Sequence, residues 1–360
     1  MKNMKANNIF SYILAILVCV QTTSFAQNDQ AEPRNCGGLE QDIKMSKRFP
    51  EWKQERNLLE SQITEFLAKS KSARTEANTG TIIRIPVVVH VVHNNASNLI
   101  GGANNPNISE AQILSQMTVL NEDYRKKINT LGYNTSPVGA DMEIEFYLAF
   151  KDPKGNPSNG ITRHFVDKSS FNPYADGDIE LSNIAYWPSD KYLNIWIVPE
   201  LTGTIGYSQF PYSNSVPGFA QTLIAKAKTD GIYVPHKYFG KNTGTAIAGL
   251  YKLGRVATHE IGHWLGLIHT WGDDFCGNDF CSDTPQAEKG NLGTTCNDVF
   301  SSCTDGKTRN MIENYMDYSP DACLNIFTGE QKKRVYAVLA SSTRRRTIVA
   351  QSIVLPTPDL

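Results

Sequence analysis

The sequence predicts an α/β (α+β) fold, in which helices pack on a sheet and an irregular, disulfide-braced region follows. Segments with strand and helix periodicity alternate up to residue 264, in the order strand, helix, strands, helix. Residues 259–269 then read HEIGHWLGLIH, a spacing of histidines that is typical of metal ligands on a helix. Five cysteines lie within residues 276–323, where regular patterning stops.

The first predicted strand is residues 82–92, which are β-branched almost throughout and indicate burial on both faces. The first helix of the folded domain is predicted to begin at Ser109, with Gln112 at the capping-box position. Further patterned segments predict strands at 143–151 and 192–198, a helix from about Gly254 that carries the histidines, and a last helix at Glu330–Ser341.

Residues 1–26 have the pattern of a signal peptide. Two lysines precede an apolar run at residues 9–20, which is too short for a membrane anchor, and small residues end at Ala26. A lipoprotein modified at Cys19 is the alternative, but the bulky Val18 disfavours it. We therefore expect cleavage after Ala26, export as a secreted protein, and no membrane anchor.

Residues 27–73 are predicted to be a prosegment, rich in Lys, Glu, Ser and Asn, with one helix around Glu51–Ala68. The polar, basic stretch 69–75 suits proteolytic processing. A catalytic domain is then expected at residues 74–350, followed by a C-terminal tail at 351–360.

The composition is that of an ordinary globular protein, with 40% hydrophobic and 20% charged residues and a formal net charge of -1. Nothing in this balance indicates a nucleic-acid partner or an anionic membrane. Locally, residues 272–323 contain ten Asp or Glu against three Lys or Arg. Either a solvated acidic loop or a site for divalent cations accounts for that excess.

The histidine motif has the chemistry of a catalytic zinc site. His259 and His263 are four residues apart and share one face of a helix. Gly266 lets the chain leave the helix in a left-handed conformation, which returns His269 as a third ligand. Glu260 can reach a water molecule on the ion without being a ligand, and the fourth position stays open for that water. A polar patch on an amphipathic helix is the alternative.

Six cysteines follow the signal peptide, and their clustering in an exported chain indicates disulfides. Their number permits 15 connectivities, so the sequence alone does not assign the pairs. A second zinc site is the alternative, but the C-x-x-C pairs that it needs are absent. The six are Cys36, Cys276, Cys281, Cys296, Cys303 and Cys323.

The histidine motif, followed by NYMDY at residues 314–318, resembles the metzincin metallopeptidases. The segments 85–92, 206–211, 281–285 and 316–323 resemble the pappalysin family within that clan. This resemblance implies a twisted, mostly parallel sheet with helices in an upper subdomain and an irregular, disulfide-braced lower subdomain. It also implies the disulfides Cys281–Cys303 and Cys296–Cys323.

The resemblance implies one catalytic zinc ion held by His259, His263 and His269. Glu260 becomes the general base and acid, Met316 the residue of the Met-turn beneath the zinc, and Tyr318 a hydrogen-bond donor to the oxyanion. A buried structural tyrosine is the alternative for Tyr318, and plain packing is the alternative for a methionine in a loop.

Asp321, two residues before Cys323, matches the family position that lines the pocket for the residue after the scissile bond. A carboxylate there favours Arg or Lys, which makes Ala73–Arg74 a candidate self-cleavage bond. An ordinary loop aspartate or a calcium ligand is the alternative.

Cys36 lies in the sequence PRNCGG, which resembles the cysteine-switch segment of matrix metalloproteinase prodomains. A thiolate there would occupy the open zinc position and keep the enzyme latent. The match is imperfect because Asn35 separates Arg34 from Cys36, and a disulfide between Cys36 and Cys276 is the alternative.

The family resemblance also implies calcium as a structural cofactor. The acidic loop offers six candidate ligands, which are Asp273, Asp274, Asp279, Asp283, Asp298 and Asp305.

The sequence thus predicts a secreted, latent zinc endopeptidase that acts on proteins or peptides and is a monomer. Substrate is expected to lie along an edge strand near Thr204–Phe210. A zinc-binding adhesion module without turnover is the main alternative, and Glu260 argues against it because such a site needs no base. A zinc hydrolase of non-peptide bonds is a second alternative, which the prosegment disfavours.

Overall fold

A computed structural model of the chain describes residues 35–73, 82–213, 222–304 and 306–352. The predicted signal peptide, Arg34, Arg74 of the predicted cleavage bond, and Asp305 all lie outside these residues.

A twisted sheet occupies the first half of the folded domain, with the strand order β2-β1-β4-β6-β5, while β3 also pairs with β1. All pairings are parallel except the one between β5 and β6. This confirms the mostly parallel sheet. The strands are β1 Ile83–His93, β2 Ile144–Leu148, β3 Ile161–Phe165, β4 Leu193–Val198, β5 Tyr207–Ser208 and β6 Gly231–Pro235.

Eight α-helices are present among the described residues. The sequence predicted α2, α3, α6 and α7, and it missed α1, α4, α5 and α8. Residues 351–352, assigned to a tail, are the end of α8 instead, because Arg345 pairs with Asp230 at 2.8 Å in the interior and fixes that helix. The helices are α1 Gly38–Arg48, α2 Trp52–Ala73, α3 Glu110–Tyr124, α4 Gly177–Ile184, α5 Leu223–Lys228, α6 Arg255–Trp264, α7 Gly329–Ser341 and α8 Thr343–Ser352.

The main apolar core lies between the sheet and the helices α3 and α6. Val87 and Val89 of β1 and Ile195 of β4 face it and are fully buried. Ile261 and Trp264 of α6 close the core from the other side. The helix that carries the metal-binding motif is therefore held against the sheet by hydrophobic burial, which fixes its polar face towards the cleft.

Residues 265–328 contain little regular structure besides an antiparallel hairpin of β7 (Phe300–Thr304) and β8 (Gly306–Arg309). Disulfides join Cys276 to Cys303 and Cys296 to Cys323, each with a Cα–Cα distance of 5.4 Å. The Cys296–Cys323 prediction is confirmed.

The predicted Cys281–Cys303 pair is wrong, because Cys276 takes the place of Cys281. Cys276 has a left-handed φ of 53°, in a turn that puts its Cα within bonding range of Cys303. Cys281 is a buried free thiol that lines the groove under α2. The alternative of a Cys36–Cys276 disulfide is wrong as well, since Cys36 is also a free thiol.

The predicted prosegment packs against this domain. Helix α1 contacts β5, and α2 packs against α7, where Leu59 and Ile63 bury Ala337 and Val338. None of the helices among the described residues is long and apolar enough to cross a membrane.

Candidate active site

Helix α6 and the turn after it bring three histidine side chains together. Gly266 ends the helix with a φ of 90°, and a Cβ at this position would lie 2.6 Å from Val338. Glycine is therefore needed both for the left-handed turn and for the close packing. The turn returns His269 to the helix, so that its Nε2 lies 3.2 Å from Nε2 of His259 and 3.0 Å from Nε2 of His263.

The other ring nitrogens of these histidines face oxygen acceptors. Nδ1 of His259 lies 2.7 Å from the carbonyl oxygen of Tyr315, and Nδ1 of His263 lies 2.8 Å from that of Leu267. Nδ1 of His269 donates to the carboxylate of Asp273. Each Nδ1 therefore carries the proton, which leaves three Nε2 lone pairs that converge on one point.

This arrangement fits a zinc ion. A tetrahedral zinc with bonds of about 2.0 Å to nitrogen separates its ligand atoms by about 3.3 Å, close to the Nε2 distances of 3.0, 3.1 and 3.2 Å. Two supporting residues were not predicted as such. Trp271 stacks on His269 at a centroid distance of 4.3 Å, and Asp273, one of the predicted calcium ligands, accepts a hydrogen bond from Nδ1 of His269 and orients that ring.

Cys36 adds a fourth donor to the histidines. Its Sγ and the three histidine nitrogens all lie within 4.8 Å of one another, and all four residues are buried. The main chain holds the thiol in place, because the N–H of Gly37 donates to Gly206 O at 3.0 Å and Ile205 donates to Asn35 O at 3.0 Å. The predicted edge near Thr204–Phe210 is thus paired, at Gly206, with Cys36 of the predicted prosegment, in the parallel direction.

Glu260 lies directly beside this cluster. The Cys36 thiol donates to its Oε2 at 3.4 Å, and burial together with the Glu260 charge raises the pKa of that thiol well above its ordinary value. Gly206 was not singled out from the sequence, yet a Cβ at that position would lie 2.7 Å from Glu260 Oε1. A glycine in the edge segment therefore leaves room for the carboxylate.

Tyr318 also contacts Cys36. Its hydroxyl accepts a hydrogen bond from Cys36 N and donates one to Cys36 O, both at 3.2 Å. The ring packs on His269 and Trp271, with centroid distances of 4.9 and 4.7 Å. Burial raises the pKa of Tyr318 well above its ordinary value, so the hydroxyl keeps its proton and can act as a donor.

Met316 lies against the helix that carries His259 and His263, and it is fully buried. A Cβ at Gly262 of α6 would lie 2.4 Å from the sulfur of Met316, so the helix and this turn are in close contact. The Asn314 side chain accepts the Met316 N–H at 2.9 Å and fixes the turn.

Asp321 is fully buried, and its Oδ2 accepts the N–H groups of Leu253 at 2.9 Å and Arg255 at 3.2 Å. It thereby caps the start of α6. The sequence did not predict this structural role. The role of Asp321 in substrate preference stays a prediction.

The predicted calcium ligands that the structure describes have separate roles. Asp279 binds Thr284, Asp283 accepts from Thr328 and from the N–H of Glu330 at the start of α7, and Asp298 pairs with Arg309. Among the His, Cys, Asp and Glu side chains of the described residues, the close group of three or more metal-ligating atoms is that of Cys36 and the three histidines.

Comparisons with known proteins agree with this geometry. The Peptidase_M43 family model, described as pregnancy-associated plasma protein-A, matches residues 176–340. Extracellular metalloprotease 1 of Coccidioides posadasii is 30% identical over 276 residues, which cover 76% of this chain and 83% of that protein. The chain belongs to the pappalysin family of metallopeptidases.

Two solved pappalysin structures are also similar. Mature mirolysin of Tannerella forsythia, in complex with a cleaved peptide, is 37% identical with a TM-score of 0.64, and covers 77% of this chain and 99% of its own. A point mutant of Tannerella forsythia promirolysin is 34% identical with a TM-score of 0.68, and covers 90% of this chain and 100% of its own. The chain is therefore a zinc metalloendopeptidase, as its motifs predicted.

Proposed function

We propose that this pappalysin is a secreted zymogen, in which His259, His263 and His269 hold the zinc and Glu260 is the general base. The observation that carries the proposal is the convergence of three Nε2 lone pairs beside the Glu260 carboxylate, with the Cys36 thiol as the fourth donor. The relatives named extracellular metalloproteases support export.

The residues divide the reaction between them. When bound, zinc polarises the scissile carbonyl and lowers the pKa of water. Glu260 accepts the proton of the attacking water and returns it to the leaving amine. Tyr318 donates a hydrogen bond to the oxygen on which negative charge develops, and Met316 supports the histidines from below.

The prosegment contacts three of these elements at once. Cys36 places its thiol among the zinc ligands, donates to Glu260, and binds the Tyr318 hydroxyl through its main chain. Activation therefore requires the departure of one short segment. The match to the promirolysin mutant covers 90% of this chain, whereas the match to mature mirolysin covers 77%. The longer match to the pro-form supports the proposal of a zymogen.

We further propose that Asp321 favours Arg or Lys after the scissile bond. Its carboxylate is fully buried and is fixed by two main-chain N–H groups. The electrostatic attraction between a buried carboxylate and a cationic side chain is stronger than that between exposed charges. Cleavage between Ala73 and Arg74 would then be autocatalytic.

Calcium remains part of the proposal, supported by the acidic loop and the family resemblance.

The test is a map of the peptide bonds cut in a denatured proteome by the activated chain, made by mass spectrometry. Wild type is compared with Glu260→Ala and with Glu110→Ala, which replaces an exposed glutamate. We expect cuts before Arg or Lys that vanish only in Glu260→Ala. Cuts that persist in Glu260→Ala would refute the assigned base, and cuts without a basic preference would refute the role of Asp321.

A further inference from the structure

A buried lysine outside the catalytic cluster is bonded to carboxylates of the prosegment. Lys226 of α5 is 0% exposed, and its Nζ lies 2.9 Å from Glu51 Oε1 and 2.6 Å from Glu55 Oε2. Thr222 also donates to Glu51. Both glutamates belong to the segment that activation removes, whereas the lysine belongs to the catalytic domain.

Aromatic side chains connect this lysine to the metal site. Nζ of Lys226 lies 5.1 Å from the ring centre of Tyr212, which packs in one cluster with Phe210. The ring of Phe210 in turn lies 5.1 Å from the ring of His263. The remainder of that cluster comes from the prosegment, through Met45, Phe49 and Trp52. The departure of the prosegment therefore opens an aromatic-walled space between the zinc ligands and Lys226.

The charges of the catalytic domain around this space favour an anion. Arg344 donates to the hydroxyl of Tyr212 at 3.1 Å, which adds a second cation to the same wall. The nearby carboxylate of Asp230 is bonded to Arg345 through two hydrogen bonds of 2.8 Å. Once Glu51 and Glu55 leave, Lys226 has lost both of its bonded carboxylates in a partly desolvated position, which is unfavourable until water or a new anion replaces them.

We propose that Lys226, with Phe210 and Tyr212, forms a substrate subsite of the activated enzyme that binds the side chain of Asp or Glu. Glu51 and Glu55 occupy this subsite in the zymogen, so the inference rests on the proposed latency. A charge-assisted hydrogen bond from the ammonium group to the substrate carboxylate supplies the recognition.

The strand directions place the subsite relative to the scissile bond. The prosegment runs parallel to the edge segment at Gly206, and the edge then continues to Phe210 and Tyr212. A substrate that pairs antiparallel to the same edge presents to them the residues that precede its scissile bond. The preference for Asp or Glu is therefore expected at substrate positions before the scissile bond.

The test uses the full chain after activation and peptide pairs that differ only by Glu or Gln at each position before the scissile bond. Wild type is compared with Lys226→Met and with Lys228→Met, a control that removes an exposed lysine of the same helix. At one position we expect kcat/KM to be about tenfold higher for the Glu peptide in wild type and in Lys228→Met. In Lys226→Met this ratio should fall to about one, with the Gln peptides unaffected, which also shows that the variant is folded.

Two results overturn the inference alone: equal cleavage of Glu and Gln peptides by active wild type at every position, or a preference that survives in Lys226→Met. The wild-type series needs no variant, so a misfolded Lys226→Met leaves the first of these results decisive. Activated protein that cleaves none of the peptides and no denatured protein overturns the proposed function together with the subsite.

Discussion

The sheet and helices of residues 82–264 and the irregular segment 265–328 both supply residues to the active site, but different forces hold them. His259, Glu260 and His263 lie on a helix whose other face is buried in an apolar core. His269, Met316 and Tyr318 lie on loops that two disulfides and buried polar contacts hold. Equally defined geometry thus arises from hydrophobic burial in one region and from covalent and polar constraints in the other. The two regions should therefore respond differently to reductant and to acid.

Removal of a disulfide should have the largest effect, confined to the lower region. The Cys296–Cys323 bond spans 27 residues, and the entropy of a loop of that length is worth about 3–4 kcal/mol. We expect Cys296→Ser/Cys323→Ser to lose most peptidase activity while far-UV circular dichroism still reports the sheet. Cys281→Ala, which removes a free thiol of the same region, is the control. Simultaneous loss of the sheet signal would show that the two regions unfold as one.

Acid should weaken the sheet. Burial lowers the pKa of His90 in β1 from 6.5 to about 4. The imidazole of His90 therefore takes up a proton near pH 6.5 in the unfolded chain but only near pH 4 in the folded chain. The free energy of unfolding therefore decreases as the pH falls from about 6.5 to about 4. The loss approaches about 3 kcal/mol at pH 4. His90→Gln should flatten the dependence in a series of urea denaturation curves from pH 7 to pH 4, and an unchanged slope would count against this account.

The lower region should respond in the opposite direction. Burial raises the pKa of Asp279 from 3.8 to about 6, so the folded chain takes up a proton before the unfolded chain does. Its contribution to the free energy of unfolding therefore rises as pH falls from about 6 to 4, by up to about 3 kcal/mol. Hydrogen exchange at pH 7 and pH 5, corrected for intrinsic rates, should show β1 less protected and residues 279–285 more protected at pH 5. Changes of the same sign in both segments would contradict the comparison.

A smaller effect is expected from the polar contacts behind Tyr318. Asp317 is fully buried and accepts hydrogen bonds from the N–H and the side chain of Asn291 and from Ser319. Asp317→Asn replaces one accepting oxygen with a donating amide group. It should lower the free energy of unfolding by about 2 kcal/mol, because hydrogen bonds to a charged group are lost. We expect kcat to fall with KM little changed, since Tyr318 is displaced rather than removed. Wild-type kcat in this variant would show that the loop is fixed by other contacts.

The smallest effect concerns the upper edge. Gly206→Ala places a Cβ 2.7 Å from Glu260 Oε1, which is the flexible end of a side chain and can move at modest cost. A displaced Glu260, if it acts as the proposed base, should lower kcat about tenfold, which is about 1.4 kcal/mol. Gly293→Ala is a control, since this exposed glycine has no left-handed φ and the nearest atom to a Cβ there is Thr295 O at 3.7 Å. An unaffected kcat in Gly206→Ala would indicate that Glu260 tolerates the shift.

The regular upper region could largely be predicted from the sequence, because burial on one or both faces leaves a period in the residues. β1, α3, α6 and the histidine spacing all follow from such patterns. α8 could not be predicted in this way, since the three arginines at residues 344–346 interrupt any apolar period, whereas Arg345 is buried against Asp230. Burial of a charged residue depends on a distant partner, and that partner leaves no local pattern.

The lower region was harder to predict for the same reason. Cys276 and Cys281 are five residues apart, and only the turn at Cys276 decides which of them reaches Cys303. Asp321 has the position expected of a pocket residue, yet the structure shows it capping α6. Lys226 gave no signal, because its two carboxylate partners lie more than 170 residues away in the chain.

The two disulfides also have a shared topology. Their rings interleave, because Cys296 lies inside the ring closed by Cys276 and Cys303, while Cys323 lies beyond it. Every peptide bond between residues 276 and 323 therefore lies within at least one closed ring. A single cut anywhere in this segment leaves both fragments covalently joined, so a peptidase exposed to its own activity keeps His269 and Tyr318 on one connected molecule after such a nick.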